Sequence, residues 1–348
     1  MARPRVLIIA PQGDSHVPFV LPHLARLGAE VFQLELAQLP RQARIAAHLG
    51  RAHPSWTCQL EANQQRVALE ELTSIWNRRR GAFHRPAYRP DPLFPPGIQT
   101  FVQAETRAGM EGIWKSLPVL HVNAPEATTV AEYKPYQLQV ALACGLTIPD
   151  TCLTNDPATA RQFLDAHDGR VVYKTLSRAL IPQAGQHWWL YTSQIEARHR
   201  AELERVRPML HLFQQRIEKR LELRVTIIGE AIFAAEIYSQ HAERARLDWR
   251  RSYDDLHYGI HRLPAEMERR LLRFMRRLGL EFAALDLIVQ PDGQYIFLEC
   301  NACGQFYWIE AETGLPLCAT LAAFLVAGQA SPAEHAAGPQ EISESGLL

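Results

Sequence analysis

The stretch Ala284–Asn301, which reads ALDLIVQPDGQYIFLECN, carries the strongest indication of the fold. Two mainly apolar runs in it flank the turn sequence Pro291-Asp292-Gly293. Apolar runs on both sides of an Asp-Gly pair are typical of a β-hairpin. We therefore predict a hairpin with strands Ala284–Val289 and Gln294–Asn301.

The register of this hairpin brings polar residues together. With Asp292-Gly293 as the two-residue loop, counting outward places Asp286 opposite Glu299. Asn301 shares the face of Glu299, because residues i and i+2 of a strand point the same way. The other face is almost wholly apolar and consists of Leu285, Leu287, Val289, Ile296, Leu298 and Cys300.

Two carboxylates that oppose each other across a sheet repel, so a buried pair needs a compensating cation. Two carboxylates and an amide oxygen form a hard oxygen set, which suits Mg²⁺ completed by phosphate oxygens and water. The hairpin therefore predicts Asp286, Glu299 and Asn301 as metal ligands. The alternative is a hairpin whose acidic face is exposed to solvent, since the register depends on the type of turn.

Cys300 and Cys303 form a Cys-x-x-Cys sequence, which is a rival indication of zinc or redox chemistry. The predicted register places Cys300 on the apolar face, away from Glu299, and the chain has no second Cys-x-x-Cys sequence. We therefore do not expect a metal or redox site at these cysteines.

A further hairpin is predicted upstream, with strands Leu221–Ile228 and Ala231–Tyr238 joined by Gly229-Glu230. A two-residue loop that begins with glycine suits a type II′ turn. Alternation places Arg224 on the polar face of the first strand, where it is either simply solvated or functional. The opposite face is apolar and consists of Leu221, Leu223, Val225 and Ile227.

Strands alternate with helices over the rest of the chain, which predicts an α/β protein. The turn after the first strand lacks a Gly-x-Gly-x-x-Gly pattern, so no dinucleotide site is predicted there. Arg78-Arg79-Arg80 is a basic patch, either a solvated loop or a functional one. The predicted strands are Arg5–Ala10, Ala29–Leu36, Arg66–Leu69, Ser74–Trp76, Val119–Asn123, Pro149–Thr154, Arg170–Lys174 and Met209–Ile217. The predicted helices are Val17–Gly28, Gln99–Leu117, Thr128–Leu142 and Pro157–Ala166, the last of them capped by Asn155 or Asp156.

Composition excludes several classes of protein. The chain has 348 residues, 47% hydrophobic and 21% charged, which is ordinary for a globular protein. Its length allows two domains, or one domain with subdomains. Lys and Arg together number 37, as do Asp and Glu, so the net charge is zero and nucleic acid is not expected as a partner. No segment indicates a membrane span or a signal peptide. Six cysteines are sparse, so we expect reduced thiols and a cytoplasmic protein.

A series of short motifs, taken in order, resembles the ATP-grasp ligases over roughly residues 125–327. One lysine or one Glu-x-Asn would be a weak indication, whereas the ordered set is specific. The set comprises Lys134, Val171-Val172-Tyr173-Lys174, Phe213-Gln214-Gln215-Arg216-Ile217, Glu222-Leu223-Arg224-Val225-Thr226, Leu285-Asp286-Leu287-Ile288 and Phe297-Leu298-Glu299-Cys300-Asn301.

Within that superfamily the chain is similar to the microviridin-type peptide macrocyclases, also called graspetide synthetases. The likeness covers almost the whole chain and includes Trp76-Asn77-Arg78-Arg79, Gln137-Leu138-Gln139, Lys174-Thr175-Leu176-Ser177, Leu247-Asp248-Trp249-Arg250 and the stretch from Gly304 to Glu310. The resemblance implies an α/β chain with an ATP-grasp fold. It implies an N-terminal α/β pre-ATP-grasp domain over residues 1–124 and an ATP-grasp domain over 125–327. The latter has a central lid at about 145–215 and a catalytic part at about 216–327, and residues 328–348 are expected to form a mobile tail.

The resemblance also implies a reaction. ATP phosphorylates an Asp or Glu side chain of a ribosomal precursor peptide, which consists of a leader and a core. A Thr or Ser hydroxyl or a Lys amine of the same peptide then attacks the acyl phosphate. The products are ω-ester or ω-amide rings, ADP and phosphate, the cofactors are ATP and Mg²⁺, and the enzyme is expected to be a homodimer.

Roles are carried over from the family to matching positions. Lys134 and Lys174 are expected at the ATP phosphates. Gln214, Gln215 and Ile217 are expected beside adenine and ribose. The expected Mg²⁺ ligands are Asp286, Glu299 and Asn301. The expected catalytic residues are Arg224, at the acyl phosphate or acceptor carboxylate, and Arg250 and Asp248, which are expected to face the substrate. The sequence departs from the family at Gln215, often Glu, and at Ala302, often Pro.

Two other functions remain open. One is an ATP-grasp ligase that adds a free amino acid to a peptide or small carboxylate, as glutathione-type and glutamate-adding ligases do. The other is a non-catalytic peptide- or nucleotide-binding module. Loss of a metal ligand or of Lys174 would indicate that module, but Asp286, Glu299, Asn301 and Lys174 are all present.

Overall fold

The computed structural model describes residues 3–39, 42–51, 53–78, 95–177, 180–183 and 186–329. Arg79 and Arg80 of the predicted basic patch lie outside these residues, as does the predicted tail from residue 330 onward. Within the described part of the chain, no helix is both long and apolar enough to cross a membrane.

The amino-terminal unit is an α/β layer, as the sequence predicts. Its elements are β1 (Arg5–Ile9), α1 (Val17–Arg26), β2 (Glu30–Leu34), β3 (Arg44–Gly50), β4 (His53–Ala62), β5 (Gln65–Ala68), β6 (Ser74–Asn77), α2 (Pro96–Ser116) and β7 (Leu120–Val122). The strands β2-β1-β6-β7, in this order, form a parallel sheet. The central strand β1 is almost fully buried because its apolar residues are covered on both faces.

A second, antiparallel sheet of this unit, β3-β4-β5, was only partly predicted. The sequence predicts its last strand and misses β3 and β4. Most residues of β3 are exposed, so its sequence lacks the apolar alternation that identifies a half-buried strand. The sheet instead covers a core through single residues such as Cys58, Leu60 and Val67, which pack with Trp114 of α2.

Two helices stand where the sequence predicts one helix over Thr128–Leu142. They are α3 (Pro125–Ala131) and α4 (Lys134–Ala143), so the prediction of a continuous helix is wrong. Pro135 explains the break, because proline lacks the N–H that would bond to Ala131 and fits well in the first turn of a new helix. The break places Lys134 at the start of α4.

The central unit consists of β8 (Thr151–Thr154), α5 (Pro157–Ala166), β9 (Val171–Lys174), β10 (Leu180–Gln183), β11 (Gln186–Trp189), β12 (Ser193–Gln194), α6 (Ala197–Ala201) and β13 (His211–Gln215). Its sheet has the order β12-β9-β13-β8, and β10 pairs with β11 alone. Asp156 caps α5 by accepting hydrogen bonds from the backbone N–H groups of Ala158 and Thr159, which confirms one of the two predicted caps.

The last unit contains β14 (Leu221–Ile228), β15 (Ala231–Ile237), β16 (Tyr258–His261), α7 (Ala265–Leu278), β17 (Phe282–Val289), β18 (Tyr295–Asn301), α8 (Tyr307–Thr313) and α9 (Leu317–Ala327). Its antiparallel sheet, called here the catalytic sheet, has the order β16-β15-β14-β17-β18. The predicted hairpin of β14 and β15 is confirmed, since Ile228 pairs with Ala231 across the Gly229-Glu230 loop. Its predicted apolar face packs into a core together with α4 and α7.

The hairpin of β17 and β18 has the predicted acidic pair but a different turn. Asp286 pairs with Glu299, as the sequence predicts. However, the N–H of Gln290 donates to the carbonyl of Gln294, so Pro291-Asp292-Gly293 forms a three-residue loop. The prediction of a two-residue loop is therefore wrong.

A β-bulge restores the register of this hairpin. It lies between the pairs of Asp286 and Leu287, so that Leu287 pairs with Phe297. A bulge adds one residue to one strand and shifts the alternation beyond it. The predicted apolar face is consequently wrong at Ile296 and Leu298, and Phe297 packs in the core instead.

The carboxyl-terminal helices α8 and α9 return to the amino-terminal unit. Leu317, Leu321 and Leu325 share one hydrophobic core with Val6 of β1 and Leu24 of α1. Ser74 Oγ at the start of β6 donates a hydrogen bond of 2.8 Å to the carbonyl of Leu325 in α9. The first and last units are therefore packed around a common core, and the predicted division at residue 124 stays a prediction.

Candidate functional site

One face of the catalytic sheet carries the polar side chains that the sequence singles out. Arg224 pairs with Asp286, and Asp286 pairs with Glu299, so three neighbouring strands present these groups side by side. Asn301 follows Glu299 by two residues on the same face. The opposite face is the apolar core against α4 and α7, which fixes the sheet from behind.

Arg224 and Asp286 form a buried ion pair. Nη1 of Arg224 lies 2.9 Å and 3.0 Å from the two carboxylate oxygens of Asp286. Nη2 of Arg224 donates to the carbonyl of Gln305 at 3.0 Å, and Asn301 Nδ2 donates to Asp286 Oδ2 at 3.3 Å. Burial raises the pKa of Asp286, and Arg224 opposes this rise by stabilising the ionised form.

Cationic side chains surround the carboxylate of Glu299. Lys134 Nζ donates to its Oε2 at 2.9 Å, and Arg250 Nη1 lies 3.9 Å from its Oε1. Burial alone would raise the pKa of Glu299, but Lys134, Lys174 and Arg250 together lower it, so the carboxylate is ionised. Desolvation lowers the pKa of Lys174 to about 8, although the charge of Glu299 opposes this. A bound anion would favour the charged form of Lys174.

Helix α4 is docked onto β18 in a way that explains how Lys134 reaches Glu299. Gln137, one turn along α4, accepts a hydrogen bond from the N–H of Cys300 and donates one to its carbonyl, each at 2.9 Å. This pair of bonds joins the start of α4 to the residue that follows Glu299.

Asp248 and Arg250 lie in the loop between β15 and β16 and form a second ion pair, in which Asp248 is buried and Arg250 is partly exposed. Arg250 Nε and Nη2 lie 2.8 Å and 2.7 Å from the two oxygens of Asp248, a bidentate arrangement. The N–H of Thr192 in the central unit also donates to Asp248 at 3.0 Å. Hydrogen bonding and the charge of Arg250 outweigh burial and lower the pKa of Asp248. The pair therefore connects the central unit to the catalytic sheet through Glu299.

The predicted hinge residues lie on β13, next to the strand that carries Lys174, and in the segment that follows β13. Gln214 is buried in β13, and its Nε2 donates to Thr151 Oγ1 at 3.0 Å. Gln215 is half-buried at the end of the same strand, and its N–H donates to the carbonyl of Asp150. Ile217 is half-buried in the segment that leads from β13 into the catalytic sheet. The structure thus places them where the central unit joins the catalytic sheet.

The donor set of the cluster fits Mg²⁺ whose other ligands come from phosphate and water. It offers two carboxylates and an amide oxygen, which are hard ligands, and cations surround it that would compensate phosphate charge. Among the described residues, no group of three His, Cys, Asp or Glu side chains is arranged to hold a metal. An all-protein metal cage is therefore not formed by these residues, and Asp286, Glu299 and Asn301 would contribute only part of a coordination shell.

The Cys-x-x-Cys sequence does not join the site. Cys300 is buried on the apolar face of β18, as predicted, and burial raises its pKa, which opposes thiolate formation. Cys303 Sγ lies 3.9 Å from the carbonyl of Asn77. The thiol of Cys300 is therefore packed as a small apolar group.

Sequence reasoning missed a third ion pair, at the edge of the site. Lys219 Nζ lies 3.0 Å from Glu222 Oε2 and donates to the carbonyl of Leu247 at 2.9 Å. Ser239 Oγ donates to Glu222 Oε1 at 2.7 Å. These bonds hold both ends of the segment that leads to Asp248. The sequence could have indicated this pair. Lys219 precedes Glu222 by three residues, and Glu222 is the first residue on the polar face of its strand.

Comparisons with known proteins agree with this architecture. Residues 5–129 match the family model described as the MvdD pre-ATP grasp domain. A RiPP-associated ATP-grasp ligase of Chryseobacterium gregarium, solved with ADP and a leader and core peptide, has a TM-score of 0.83 at 27% identity. The match covers 92% of this chain and 96% of that chain. No match is found among curated protein sequences.

Two macrocyclases of Microcystis aeruginosa are also similar. MdnC, solved with the precursor peptide MdnA, has a TM-score of 0.79 at 28% identity, over 92% of this chain and 99% of that chain. MdnB has a TM-score of 0.73 at 29% identity, over 93% and 99%. The resemblance inferred from the motifs is thereby confirmed: the chain has an ATP-grasp fold behind an amino-terminal pre-ATP-grasp domain, and it is similar over almost its whole length to RiPP-associated ATP-grasp ligases and peptide macrocyclases.

Proposed function

We propose that this protein is an ATP-dependent macrocyclase of a ribosomal precursor peptide. It phosphorylates Asp or Glu side chains of the peptide core and releases ADP. A Thr or Ser hydroxyl or a Lys amine of the same peptide then displaces phosphate from the acyl phosphate, which closes an ω-ester or ω-amide ring.

The observation that carries this proposal is the charged cluster on the catalytic sheet. Lys134, Lys174 and Arg250 surround Glu299, and Arg224 contacts Asp286 beside it. Phosphoryl transfer needs positive charge at the transferring group and little other assistance from the protein. A carboxylate substrate is a poor electrophile, so an ATP-dependent site with this cluster suits activation by phosphorylation.

We propose for the individual residues the roles that the resemblance implies. Lys134 and Lys174 bind the ATP phosphates as point charges. Gln214, Gln215 and Ile217 lie beside the adenosine, where the chain passes from the central unit to the catalytic sheet. Asp286, Glu299 and Asn301 hold Mg²⁺, which when bound neutralises phosphate charge.

Three further residues act on the substrate. Arg224 orients the acceptor carboxylate and stabilises the acyl phosphate. Arg250, fixed by Asp248, carries positive charge from the loop towards Glu299 and faces the peptide.

Similarity to peptide-bound ligases over the whole chain favours a peptide substrate above a free amino acid. Two of the similar proteins were solved with a leader or precursor peptide, and their match includes the amino-terminal unit. We propose that the partner is a precursor with a leader and an acid-, Thr-, Ser- or Lys-containing core. We further propose a cytoplasmic homodimer, which light scattering of the purified protein would test.

The experiment incubates the protein with ATP, Mg²⁺ and a short peptide that contains acidic residues and Thr, Ser or Lys and is encoded near its gene. The peptide mass should fall by one water per ring, and tandem mass spectra should locate the links between acidic side chains and Thr, Ser or Lys. A mass gain that matches an added amino acid would contradict the macrocyclase proposal and favour the amino-acid-adding ligase. ADP release without any change of peptide mass would contradict both.

A further inference from the structure

The amino-terminal sheet has an edge where proteins of this architecture bind ligands. In an open α/β sheet, ligands bind beyond the carboxyl ends of the strands, at the point where the strand order reverses. In the order β2-β1-β6-β7 this point lies between β1 and β6. The turn after β1 carries Asp14 and His16, and Arg78 follows β6 directly. All three side chains are buried.

The catalytic unit fills this edge with the segment that follows Asn301. The ring of Phe306 stacks on His16 at 4.8 Å between centroids and lies 5.9 Å from the guanidinium carbon of Arg78. His16 Nδ1 accepts a hydrogen bond of 3.3 Å from the N–H of Tyr307 at the start of α8. The crevice therefore holds a part of the chain itself.

Arg78 binds the same short segment that holds Arg224. Nη1 of Arg78 donates to the carbonyls of Cys303 and Gly304, at 2.6 Å and 3.3 Å. Arg224, from the catalytic sheet, donates to the next carbonyl, that of Gln305, at 3.0 Å. Arg78 and Arg224, from different units, thus donate hydrogen bonds to three consecutive backbone carbonyls. Arg224 also contacts Asp286.

Close packing transmits the position of this segment to Arg224. A Cβ atom at Gly304 would lie 2.5 Å from Cβ of Ala284 and 2.9 Å from Nη2 of Arg224. No space is therefore left for the segment to move towards the sheet without displacing Arg224. Burying an arginine is costly unless its charge is paired and its N–H groups are hydrogen-bonded. Oδ1 of Asp14 lies 3.5 Å from Nε of Arg78, and the carbonyls of the segment accept from Nη1.

We propose that Arg78 is a positioning residue, which sets the place of Arg224 in the active site through the carbonyls of residues 303–305. Through Arg78, the amino-terminal unit thereby takes part in catalysis. The expected effect on the rate of ring formation rests on the proposed function, whereas the expected effect on amide exchange does not.

Arg78→Lys tests the proposal, because lysine keeps the charge but lacks the rigid, planar guanidinium that holds Nη1 against both carbonyls. The matched control is Ser74→Ala, which removes the bond from the other end of β6 to Leu325, remote from the segment. Gly304→Ala, which pushes directly on Arg224, is the positive control. Hydrogen exchange of the amides in residues 302–307 and ring formation at saturating ATP and peptide are measured for all variants.

We expect Arg78→Lys and Gly304→Ala to raise amide exchange in this segment and to lower kcat about 10- to 100-fold, as a small misplacement of a reacting group does. KM for the peptide and the affinity for Mg-ADP should stay near those of the wild type. Ser74→Ala should lower stability alone, without a change in kcat or in exchange of the segment.

The proposal is overturned if Arg78→Lys keeps the wild-type kcat, or if Ser74→Ala has the same effect on kcat and exchange. Parallel losses of kcat and Mg-ADP affinity, or an Arg78→Lys variant that does not fold, would assign Arg78 a structural role and also overturn it. Absence of ring formation by the wild type would contradict the proposed function instead, and the exchange comparison would still test the contact.

Discussion

Glu299 is the residue on which the cations of the site converge. Glu299→Gln keeps its shape and removes its charge, so a metal ion and Lys134 would lose a charged partner. We expect ring formation to fall about 10²- to 10³-fold with the fold retained, as when one electrostatic group of an active site is removed. Circular dichroism checks the fold and mass spectrometry the product. Glu243→Gln, an exposed acid of the neighbouring loop, is the control and should have no effect. Turnover near the wild-type rate in Glu299→Gln would show that this carboxylate binds neither metal nor the reacting phosphate.

Lys174 is a buried cation of the site, and desolvation lowers its pKa to about 8. A phosphate beside it would favour the charged form further, so binding and protonation are coupled. We expect Lys174→Met to remove most of the rise in melting temperature that Mg-ATP gives the wild type, since a ligand stabilises only the state that it binds. Lys115→Met, at a surface lysine paired with Glu126, should leave that rise intact. An equal thermal shift in both variants would exclude Lys174 from the nucleotide site.

Glu236 lies on the opposite face of the catalytic sheet and determines part of the pH dependence of stability. Burial raises its pKa, but hydrogen bonds with Tyr238 and His261 and the charge of Arg220 outweigh burial and lower the pKa below the usual 4.5. The ionised carboxylate therefore stabilises the fold above pH 4.5, and this contribution is lost as the pH falls through the lowered value. Glu236→Gln should unfold more easily near neutral pH, and its difference from the wild type should shrink towards pH ~3 in urea titrations. A difference that is constant with pH would contradict the linkage.

At the scale of elements, hairpins were predictable where the turn and the alternation agree. The loop of β14 and β15 is the predicted one, and Gly229 has the positive φ of 57° that a type II′ turn requires. For β17 and β18, the predicted pair of Asp286 and Glu299 is right although the turn is not. One extra residue in the loop is offset by the bulge, and no local sequence rule indicates where a bulge falls.

Other elements escaped prediction because tertiary contacts define them. The sequence shows a helical pattern across Glu132 and Tyr133, and only the proline at position 135 indicates the break that brings Lys134 to the site. Strand β3 is identified by its pairing with β4, as most of its side chains are exposed. Arg78 was recognised as part of a basic patch, but its burial under the segment after Asn301 could not be inferred from neighbours in sequence.

The turn of β14 and β15 also serves as a contact surface for α9. A Cβ at Gly229 would lie 2.7 Å from Cε2 of Phe324, whereas a Cβ at Gly293, in the other hairpin, would meet nothing within 4 Å. Both glycines have positive φ. Gly293→Ala should therefore cost about 1 kcal/mol of unfolding free energy from backbone strain alone. Gly229→Ala should cost roughly 2–4 kcal/mol, because overpacking against α9 is added. Urea unfolding measures both, and equal losses would show that Phe324 simply moves aside.

At the scale of the whole molecule, the amino-terminal unit does not complete its own core. Helix α9 is apolar on nearly all sides, which is typical of a helix buried all round, and it packs on α1, β1 and β6. A fragment of residues 1–124 should consequently lack a cooperative unfolding transition in urea. Joining residues 305–329 to it through a flexible linker should restore one. A sharp transition of the fragment alone would show that the unit is autonomous.

This shared core also affects the order in which the protein can fold during synthesis. Strand β1 and helix α1 are made long before α9, which covers them. At roughly 5–20 residues per second, about 300 residues of translation separate them by on the order of 15–60 s. During that interval the ribosome carries a sheet whose apolar face is open to other nascent chains and to chaperones. The amino-terminal unit can reach its final state only after α9 has left the exit tunnel, so synthesis of α9, and not emergence of the first unit, sets the earliest moment at which the shared core can form.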